Sequence, residues 1–154
     1  MKLVWFRNDL RVRDNPAIYQ ACLAANQQKN SSGVIAVVAF FPEQWSLHDD
    51  SPSKVAFWLA NLKQLKLELS DLNIPLKVIS GDLFSNIGGP LLKLAQHYQC
   101  DALYANREYC LNERRRDDEV EALLKANGLA FYGCHGDTVI EPGLLLNRSG
   151  TPYK

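Results

Sequence analysis

Short apolar runs alternate with longer segments of helical period along the chain, and this alternation constrains the fold more than any other feature of the sequence. Each run is short enough to be a strand and is bounded by polar residues, glycine or proline. The runs cover residues 3–6, 34–41, 76–80, 102–105 and 129–132. They show little polar alternation, which is typical of parallel strands covered on both faces. The pattern predicts an α/β fold.

The segments between the runs carry start and stop signals for helices. Asn15 and Ser51 each precede a proline, so both are expected to cap a helix N-terminus. A third helix is expected after residues 88–90, with Leu92, Ala95 and either His97 or Tyr98 on its inner side. A fourth is expected to begin with Asn112 as its N-cap and to end near Gly128. The second helix carries an apolar stripe that should lie on the sheet, made of Val55, Trp58, Leu62, Leu65, Leu69 and Leu72.

Right-handed crossovers between parallel strands then predict a Rossmann-like, doubly wound parallel sheet of five strands, with helices on both faces and the strand order 3-2-1-4-5. The chain has 154 residues, of which 47% are hydrophobic, enough to bury one sizeable core. Residues 1–140 are expected to form this domain. The proline- and glycine-containing tail at 141–154 reads as a linker.

Composition excludes several classes of function. Seventeen basic and seventeen acidic residues cancel, so no general electrostatic attraction to nucleic acid or to an anionic membrane is expected. The longest apolar run has eight residues, against about 20 for a membrane span, so no membrane partner is expected. The four cysteines form no CxxC pair, which favours reduced thiols, no metal site and a cytoplasmic protein.

The carboxyl ends of the strands nominate a ligand crevice by position alone. Residues 7–9, including Arg7 and Asp9, follow the first strand, residues 41–45 follow the second, and residues 106–108, beginning with Asn106, follow the fourth. The sequence has neither a GxGxxG turn nor a GxxxxGK[ST] loop, which argues against a tightly held dinucleotide or a P-loop nucleotide.

Three charged stretches have competing interpretations. The loop at 7–14 could bind an anion or a partner domain, but the residues favour a solvated loop of internal ion pairs. Residues 114–119 hold three arginines followed by three acids and favour a solvated helix face. The His-Asp-Asp run at 48–50 could bind a metal, although acidic residues are common just before a helix.

Asn112 and Glu113 are a further candidate site. A carboxylate in the first turn of a helix at the rim of the crevice could accept paired hydrogen bonds from an amino-pyrimidine edge, such as that of a pterin. From the residues alone, simple capping by Asn112 and a favourable first-turn charge on Glu113 explain the pair better.

Residues 3–16 read LVWFRNDLRVRDNP, which resembles the N-terminal signature WFRxDLRxxDN of the DNA photolyase and cryptochrome family. This motif is long and specific. Further matches to the family are FPEQW at 41–45, SPSK at 51–54, YANREY at 104–109 and NER-RD at 112–117. The similarity runs through essentially the whole chain.

Within the family, the chain is most similar to bacterial photolyases that repair cyclobutane pyrimidine dimers and carry 5,10-methenyltetrahydrofolate as an antenna. The resemblance implies that Asn112 and Glu113 contact this folate, which reverses the preference for simple capping. Other relatives place a deazaflavin or flavin antenna deeper in the crevice. In that case Arg7, Asp9 and Asn106 are the nearby candidates.

The resemblance also implies a longer parent protein. Family members continue through a linker into a C-terminal helical domain that holds FAD and most of the surface for damaged DNA, and this chain contains none of that domain. Residues 1–140 are then the antenna-binding domain and 141–154 the start of the linker. The full-length parent is expected to repair dimers by light-driven electron transfer from FAD, and this fragment alone to be inactive.

Two alternatives remain open at this point. A cryptochrome, a blue-light photoreceptor without repair activity, shares this domain. A stand-alone Rossmann-like module that binds a nucleotide or a protein partner would have the same fold.

Overall fold

The computed structural model describes residues 1–28 and 33–151 and contains the expected α/β fold. Five parallel strands form one sheet in the order β3-β2-β1-β4-β5, which confirms the predicted strand order. The strands are β1 (Lys2–Phe6), β2 (Val34–Phe40), β3 (Leu76–Ser80), β4 (Ala102–Asn106) and β5 (Ala130–Cys134). The helices are α1 (Pro16–Gln27), α2 (Pro42–Leu47), α3 (Pro52–Asp71), α4 (Gly88–His97) and α5 (Leu111–Ala126), with a 3-10 turn at Phe84–Asn86.

The sheet has a hydrophobic core on each face, because successive residues of a strand point to opposite sides. In β1, Leu3 and Trp5 belong to one core, which α4 and α5 cover. Val4 and Phe6 belong to the other, which α1 and α3 cover. Helices therefore pack on both faces, as predicted for a doubly wound sheet.

Burial differs between central and edge strands. Every residue of β1 and of β4 is buried, whereas β3 and β5 are only partly covered. Val78 on β3 and Tyr132 on β5 each expose about half of their surface. The expectation of strands covered on both faces is correct for the three central strands and wrong at the edges, where each strand has a single neighbour.

The predicted helix signals are confirmed at three places. The Asn15 side chain accepts a hydrogen bond from the Ile18 backbone N–H at 3.3 Å and caps α1. The Ser51 hydroxyl accepts one from the Lys54 N–H at 3.2 Å and caps α3. Gly128 follows α5 with φ of 77°, the left-handed conformation that ends helices.

Other local expectations are wrong in detail. Helix α2 was not expected, since it is only six residues long and too short for a periodic pattern. Helix α5 begins at Leu111 with Cys110 in the N-cap position, so Asn112 lies inside the first turn and does not cap it. Helix α4 begins at Gly88 and fully buries Leu91, which was not expected, while the expected Leu92, Ala95 and Tyr98 also pack in or against that core. Leu72 lies beyond the end of α3 and is exposed.

Across residues 1–28 and 33–151, no helix combines the length and apolar character that a bilayer span requires. The expected linker is described as far as Thr151, and residues 152–154 lie outside the described part of the chain.

Candidate functional site

A buried polar cluster holds the loop after β1 against the end of β4. The Asp9 carboxylate accepts hydrogen bonds from the Arg7 backbone N–H at 2.9 Å, from Asn15 Nδ2 at 3.2 Å and from Asn106 Nδ2 at 2.6 Å. Asn106 Oδ1 accepts a further bond from the backbone N–H of Ala17 at 3.1 Å. These side chains therefore form hydrogen bonds with other groups of the protein, and these bonds fix the backbone that leads into α1.

A second buried cluster joins the same loop to α5. Arg7 Nη1 donates to Asp117 Oδ1 at 2.8 Å, and Arg7 Nη2 donates to the carbonyl of Asn106. Arg116 donates from Nη2 to Glu108 at 2.6 Å and from Nε to Asp117 at 3.0 Å. Two guanidinium groups thus face two carboxylates, so the cluster carries no net charge. Such pairing is what allows charges to be buried.

The ion pairs set the charge state of Glu108. Burial by itself raises the pKa of this carboxyl, but the guanidinium groups of Arg7 and Arg116 outweigh burial and hold the pKa below its ordinary value. Glu108 Oε1 also accepts a hydrogen bond from Asn8 Nδ2 at 2.7 Å. The carboxylate is therefore ionised wherever the protein is folded at neutral pH.

Trp5 packs against both arginines of this cluster. The Cζ atoms of Arg7 and Arg116 are 4.6 and 4.8 Å from its ring centroid, within cation–π range. The ring is fully buried, and its indole N–H has no hydrogen-bond partner among the described residues. The expectation of solvated charged stretches is thus wrong for Arg7, Asp9, Arg116 and Asp117, all of which are buried.

A cavity of about 490 Å³ opens beside these clusters, between α2, α3, the loop after β1 and the first turn of α5. This volume lies in the range of small-molecule sites, about 300 to 1,000 Å³. Its apolar lining consists of Leu10, Trp45, Val55, Phe57, Trp58 and Phe84. Its polar lining consists of Asn8, Arg11, Gln44, His48, Asp50, Lys54, Asn61 and Glu113.

Aromatic rings pack edge to face at the base of the cavity. The centroid of Trp58 is 5.6 Å from that of Trp45 and 5.2 Å from that of Phe40. The indole N–H of Trp58 donates to the backbone carbonyl of Arg7 at 3.1 Å, which fixes the orientation of the ring. Sequence periodicity predicts Trp58 in the core stripe of α3, and the structure confirms that it packs against that core and shows that it also lines the cavity.

Polar side chains around the cavity form two local pairs. Gln44 Nε2 and His48 Nε2 are 2.7 Å apart, and Asp50 forms an ion pair with Lys54 at 2.5 Å. The His-Asp-Asp run therefore contributes His48 and Asp50 to the cavity lining. Helix α2 could have been suspected from Pro42 followed by Glu43, the residue types that favour a first helical turn.

The predicted site residues separate into two groups. Glu113 lies at the cavity, and Asn112 is exposed beside it in the first turn of α5. Arg7, Asp9 and Asn106 are buried behind the wall of the cavity and do not line it. Trp45 belongs to the 41–45 segment expected at the crevice and lines the cavity, whereas Phe57 and Trp58 were missed, because no motif separates a lining residue of α3 from a core residue.

Comparison with known proteins gives a consistent result. The family model for DNA photolyase matches residues 2–154. A deoxyribodipyrimidine photo-lyase of Buchnera aphidicola is 34% identical over 99% of this chain, which spans 30% of that protein. A cryptochrome DASH of Natronomonas pharaonis is 34% identical over 99% of this chain and 32% of that protein. The crystal structure of a class III photolyase from Agrobacterium tumefaciens superimposes with a TM-score of 0.70 at 28% identity, covering 99% of this chain and 29% of that one.

The chain therefore belongs to the DNA photolyase family and has the fold of the family's N-terminal α/β domain. It spans about 30% of the length of the relatives it matches. The Buchnera relative is named as an enzyme, a photo-lyase, and the family model that matches this chain is that of DNA photolyase.

The resemblance to this family implies an antenna chromophore, and the chemistry of the cavity fits one. Aromatic side chains offer apolar surface to a flat ring system, and the Glu113 carboxylate can accept from ring N–H groups. Asn8, Arg11 and Asn61 are further polar residues of the lining. A few polar groups around a mostly apolar cleft are typical of cofactor sites.

Proposed function

We propose that this chain binds the antenna chromophore of a deoxyribodipyrimidine photolyase in the cavity beside α3. The observation that carries the proposal is the position of Glu113. Its carboxylate lies at an aromatic-lined cavity and makes no hydrogen bond or ion pair with a described residue, so it is available to a ligand. An ionised carboxylate accepts two parallel N–H bonds well, which suits an amino-pyrimidine edge.

The chromophore we propose is 5,10-methenyltetrahydrofolate. The N–H edge of its pterin ring would donate to Glu113, and the exposed amide of Asn112 would contact the same group from the rim. A deazaflavin or a flavin is the alternative occupant. Arg7, Asp9 and Asn106 would then support either ligand indirectly, by holding the loop after β1 and the start of α1 in place.

When bound, the chromophore supplies absorption of near-ultraviolet or blue light and passage of that energy to FAD. The residues of this chain bind and orient it. Transfer through space needs a fixed distance and orientation, which rigid elements provide better than mobile loops. Glu113 is placed by α5, Trp58 is placed by α3, and both helices are tied to the loop after β1 through Arg7.

The activity of the whole protein follows as a proposal from its relatives. The parent would repair cyclobutane pyrimidine dimers, with damaged DNA and FAD held by a C-terminal helical domain. Residues 1–140 would form the antenna domain and 141–154 the start of the linker. The zero net charge of this chain supports a division in which the DNA surface lies elsewhere, and we expect no repair by this chain alone. The four cysteines form no CxxC pair in the sequence, and this spacing supports a cytoplasmic location.

A cryptochrome photoreceptor is the second and less supported candidate for the parent protein, because a cryptochrome DASH relative shares 34% sequence identity with this chain, the same value as the Buchnera photolyase. Light-dependent repair of a dimer-containing oligonucleotide by the full-length protein distinguishes the two. Repair supports the photolyase, and binding of light-absorbing cofactors without repair supports the cryptochrome.

Titration of the chain with 5,10-methenyltetrahydrofolate tests the antenna site directly. We expect saturable binding, followed by the absorbance of the folate in equilibrium dialysis. Glu113→Gln should weaken binding by roughly tenfold or more, since a hydrogen bond to a charged group contributes about 1.5–3 kcal/mol. Glu119→Gln is the matched control, because Glu119 is exposed on the same helix and does not line the cavity. No binding of a folate, a flavin or a deazaflavin, or equal affinity of the wild type and Glu113→Gln, would contradict the proposal.

A further inference from the structure

Three side chains near the end of β5 are joined in a row by polar contacts. The phenol oxygen of Tyr109 lies 2.7 Å from Nδ1 of His135. On the other side of the same ring, Nε2 of His135 lies 3.0 Å from Oε1 of Glu141. Tyr109 comes from the loop between β4 and α5, His135 directly follows β5, and Glu141 belongs to the segment beyond it. None of these three residues lines the cavity beside α3.

The partners of His135 determine which ring nitrogen carries the proton. A carboxylate can only accept hydrogen bonds, so Nε2 of the neutral imidazole carries the N–H that Glu141 accepts. Nδ1 is then the unprotonated nitrogen, and the hydroxyl of Tyr109 donates to it. The distance of 2.7 Å lies within the reach of a general base, about 2.6–3.2 Å. His135 is therefore placed to take the phenolic proton of Tyr109.

The surroundings can accommodate the charge that this transfer creates. The planes of the two rings differ by only 12°, so the O–H can point at the in-plane lone pair of Nδ1. The imidazolium would lie beside the Glu141 carboxylate, which compensates its charge. The other charged residues around the cleft that contains the three side chains are Arg107, Glu108, Arg114, Asp117 and Asp118. Of these, Glu108 and Asp117 are already paired with buried arginines.

The same arrangement suits the loss of an electron from the phenol. A phenol that is oxidised by one electron becomes a strong acid, so its oxidation is easiest where a base is already bonded to the hydroxyl. His135 provides that base, and Glu141 orients it in the way that the third member of a catalytic triad orients a histidine. Tyr109 is 36% exposed, so an oxidant in solution can approach the ring without binding to the protein.

We propose that Tyr109 is a redox-active residue, from which a diffusible one-electron oxidant takes an electron while His135 takes the proton. The O–H bond of Tyr109 breaks in this step. One electron passes to the oxidant, which is reduced, the proton passes to Nδ1 of His135, and a neutral phenoxyl radical remains. The imidazolium is then paired with Glu141. This inference goes beyond the proposed function and does not depend on it, because it uses no residue of the chromophore cavity.

Flash photolysis of the chain with ruthenium tris-bipyridine and a viologen quencher, without oxygen, tests the proposal. The flash generates ruthenium(III), an oxidant that accepts one electron without forming a bond to the protein. The tyrosyl radical is followed by its transient absorbance and by electron paramagnetic resonance of frozen samples. We expect Tyr109→Phe to remove most of the tyrosyl signal.

Tyr19→Phe is the matched control. The ring of Tyr19 is 64% exposed, more than that of Tyr109, and its hydroxyl makes no hydrogen bond with another described residue. If collision with the oxidant alone decided the outcome, Tyr19→Phe would remove more of the signal than Tyr109→Phe. We expect the opposite order, because only Tyr109 of the two has a bonded base.

Substitutions of the partners identify the proton acceptor. His135→Gln removes the base and should slow formation of the Tyr109 radical by roughly a hundredfold, the lower end of what a positioned base contributes. Glu141→Gln keeps an acceptor for the Nε2 N–H and removes only the charge, so it should slow the step less. His97→Gln, on α4, is the control and should leave the rate unchanged.

The magnetic resonance spectrum separates a proton acceptor from a merely structural residue. The g values of a tyrosyl radical report whether its oxygen accepts a hydrogen bond, and the His135 imidazolium would donate one. We therefore expect the g values to differ between the wild type and His135→Gln. Circular dichroism of each variant verifies that the fold is retained.

Two results would overturn the inference. Equal tyrosyl signals in the wild type and Tyr109→Phe would show that the electron comes from another tyrosine. An unchanged rate and unchanged g values in His135→Gln would show that water takes the proton, and the role of His135 would then be wrong.

Discussion

The indole N–H of Trp58 and the backbone carbonyl of Arg7 are hydrogen-bonded at 3.1 Å, and this bond connects α3 to the end of the central strand β1. The guanidinium of the same arginine binds Asp117 on α5. Arg7 therefore contacts, by its backbone and by its side chain, the two helices that carry Trp58 and Glu113.

Replacement of Trp58 by phenylalanine should weaken both folding and ligand binding. The ring remains aromatic, but the bond to Arg7 is lost, and a typical hydrogen bond contributes about 0.5–1.5 kcal/mol. We expect a loss of about 1 kcal/mol in the free energy of unfolding, measured by urea denaturation, together with weaker binding of 5,10-methenyltetrahydrofolate. Phe57→Leu is the comparison, since Phe57 lines the same cavity but is 72% exposed and should change stability little. Equal stability of Trp58→Phe and the wild type would show that the bond adds nothing.

Asp117→Asn should be strongly destabilising. Its carboxylate pairs with both Arg7 and Arg116, and its neutralisation leaves two buried guanidinium groups with the single charge of Glu108. Breaking a buried ion pair typically costs about 3–5 kcal/mol. Asp118→Asn changes the next residue, which is exposed, and should stay within about 0.5 kcal/mol of the wild type. Urea denaturation of the two variants measures the difference, and similar values would contradict the ion-pair account.

The stability of the protein should fall in acid partly through Glu108. Its pKa in the folded protein lies below the ordinary value of 4.5, so the unfolded chain binds more protons than the folded one as the pH drops past that value. The contribution of Glu108 is therefore complete above about pH 4.5 and is lost as the pH falls through the folded-state pKa.

Glu108→Gln removes this titration and is expected to flatten the dependence of unfolding free energy on pH below 4.5. Glu119→Gln, at an exposed position of α5, should leave the slope unchanged. Denaturation midpoints over a series of acidic buffers give the two slopes. An unaltered slope in Glu108→Gln would rule out this residue as a source of the acid sensitivity.

Gly136→Ala should disturb the site more than Gly133→Ala. A Cβ at position 136 would lie 2.7 Å from Cγ of Asn106, which is buried and hydrogen-bonded to Asp9 and cannot withdraw. A Cβ at position 133 would instead meet the side chain of Arg107, which is flexible and half-exposed. Overpacking of a fixed neighbour costs about 1–3 kcal/mol. In thermal denaturation, Gly136→Ala should therefore have a lower melting temperature than Gly133→Ala. The reverse order would contradict a rigid Asn106 side chain.

The strands were predictable because each is a short apolar run between turn residues, and their order followed from the right-handed crossover rule for parallel strands. The caps at Asn15 and Ser51 were predictable for the same reason, since a cap acts within three residues. Glu113 was proposed through the resemblance to a known family, and its position at the cavity is compatible with that assignment.

The buried charges were not predictable from local sequence. Arg7 and Asp117 are 110 residues apart in the chain, so nothing near either residue indicates that the other neutralises it. Arg116 and Asp117 sit in a run of six charged residues whose local pattern is that of a solvated helix face. Likewise, Trp58 has the spacing of a core residue. Only the packing of α3 beside α2, which the sequence does not show, makes Trp58 part of a cavity wall.

The buried polar cluster of Asp9, Asn15 and Asn106 has a consequence for the kinetics of ligand binding. Because these three side chains already hold the loop after β1, we expect that loop to keep its conformation when a ligand binds. Association should then be a single bimolecular step, with an observed rate that rises linearly with ligand concentration and reaches no plateau.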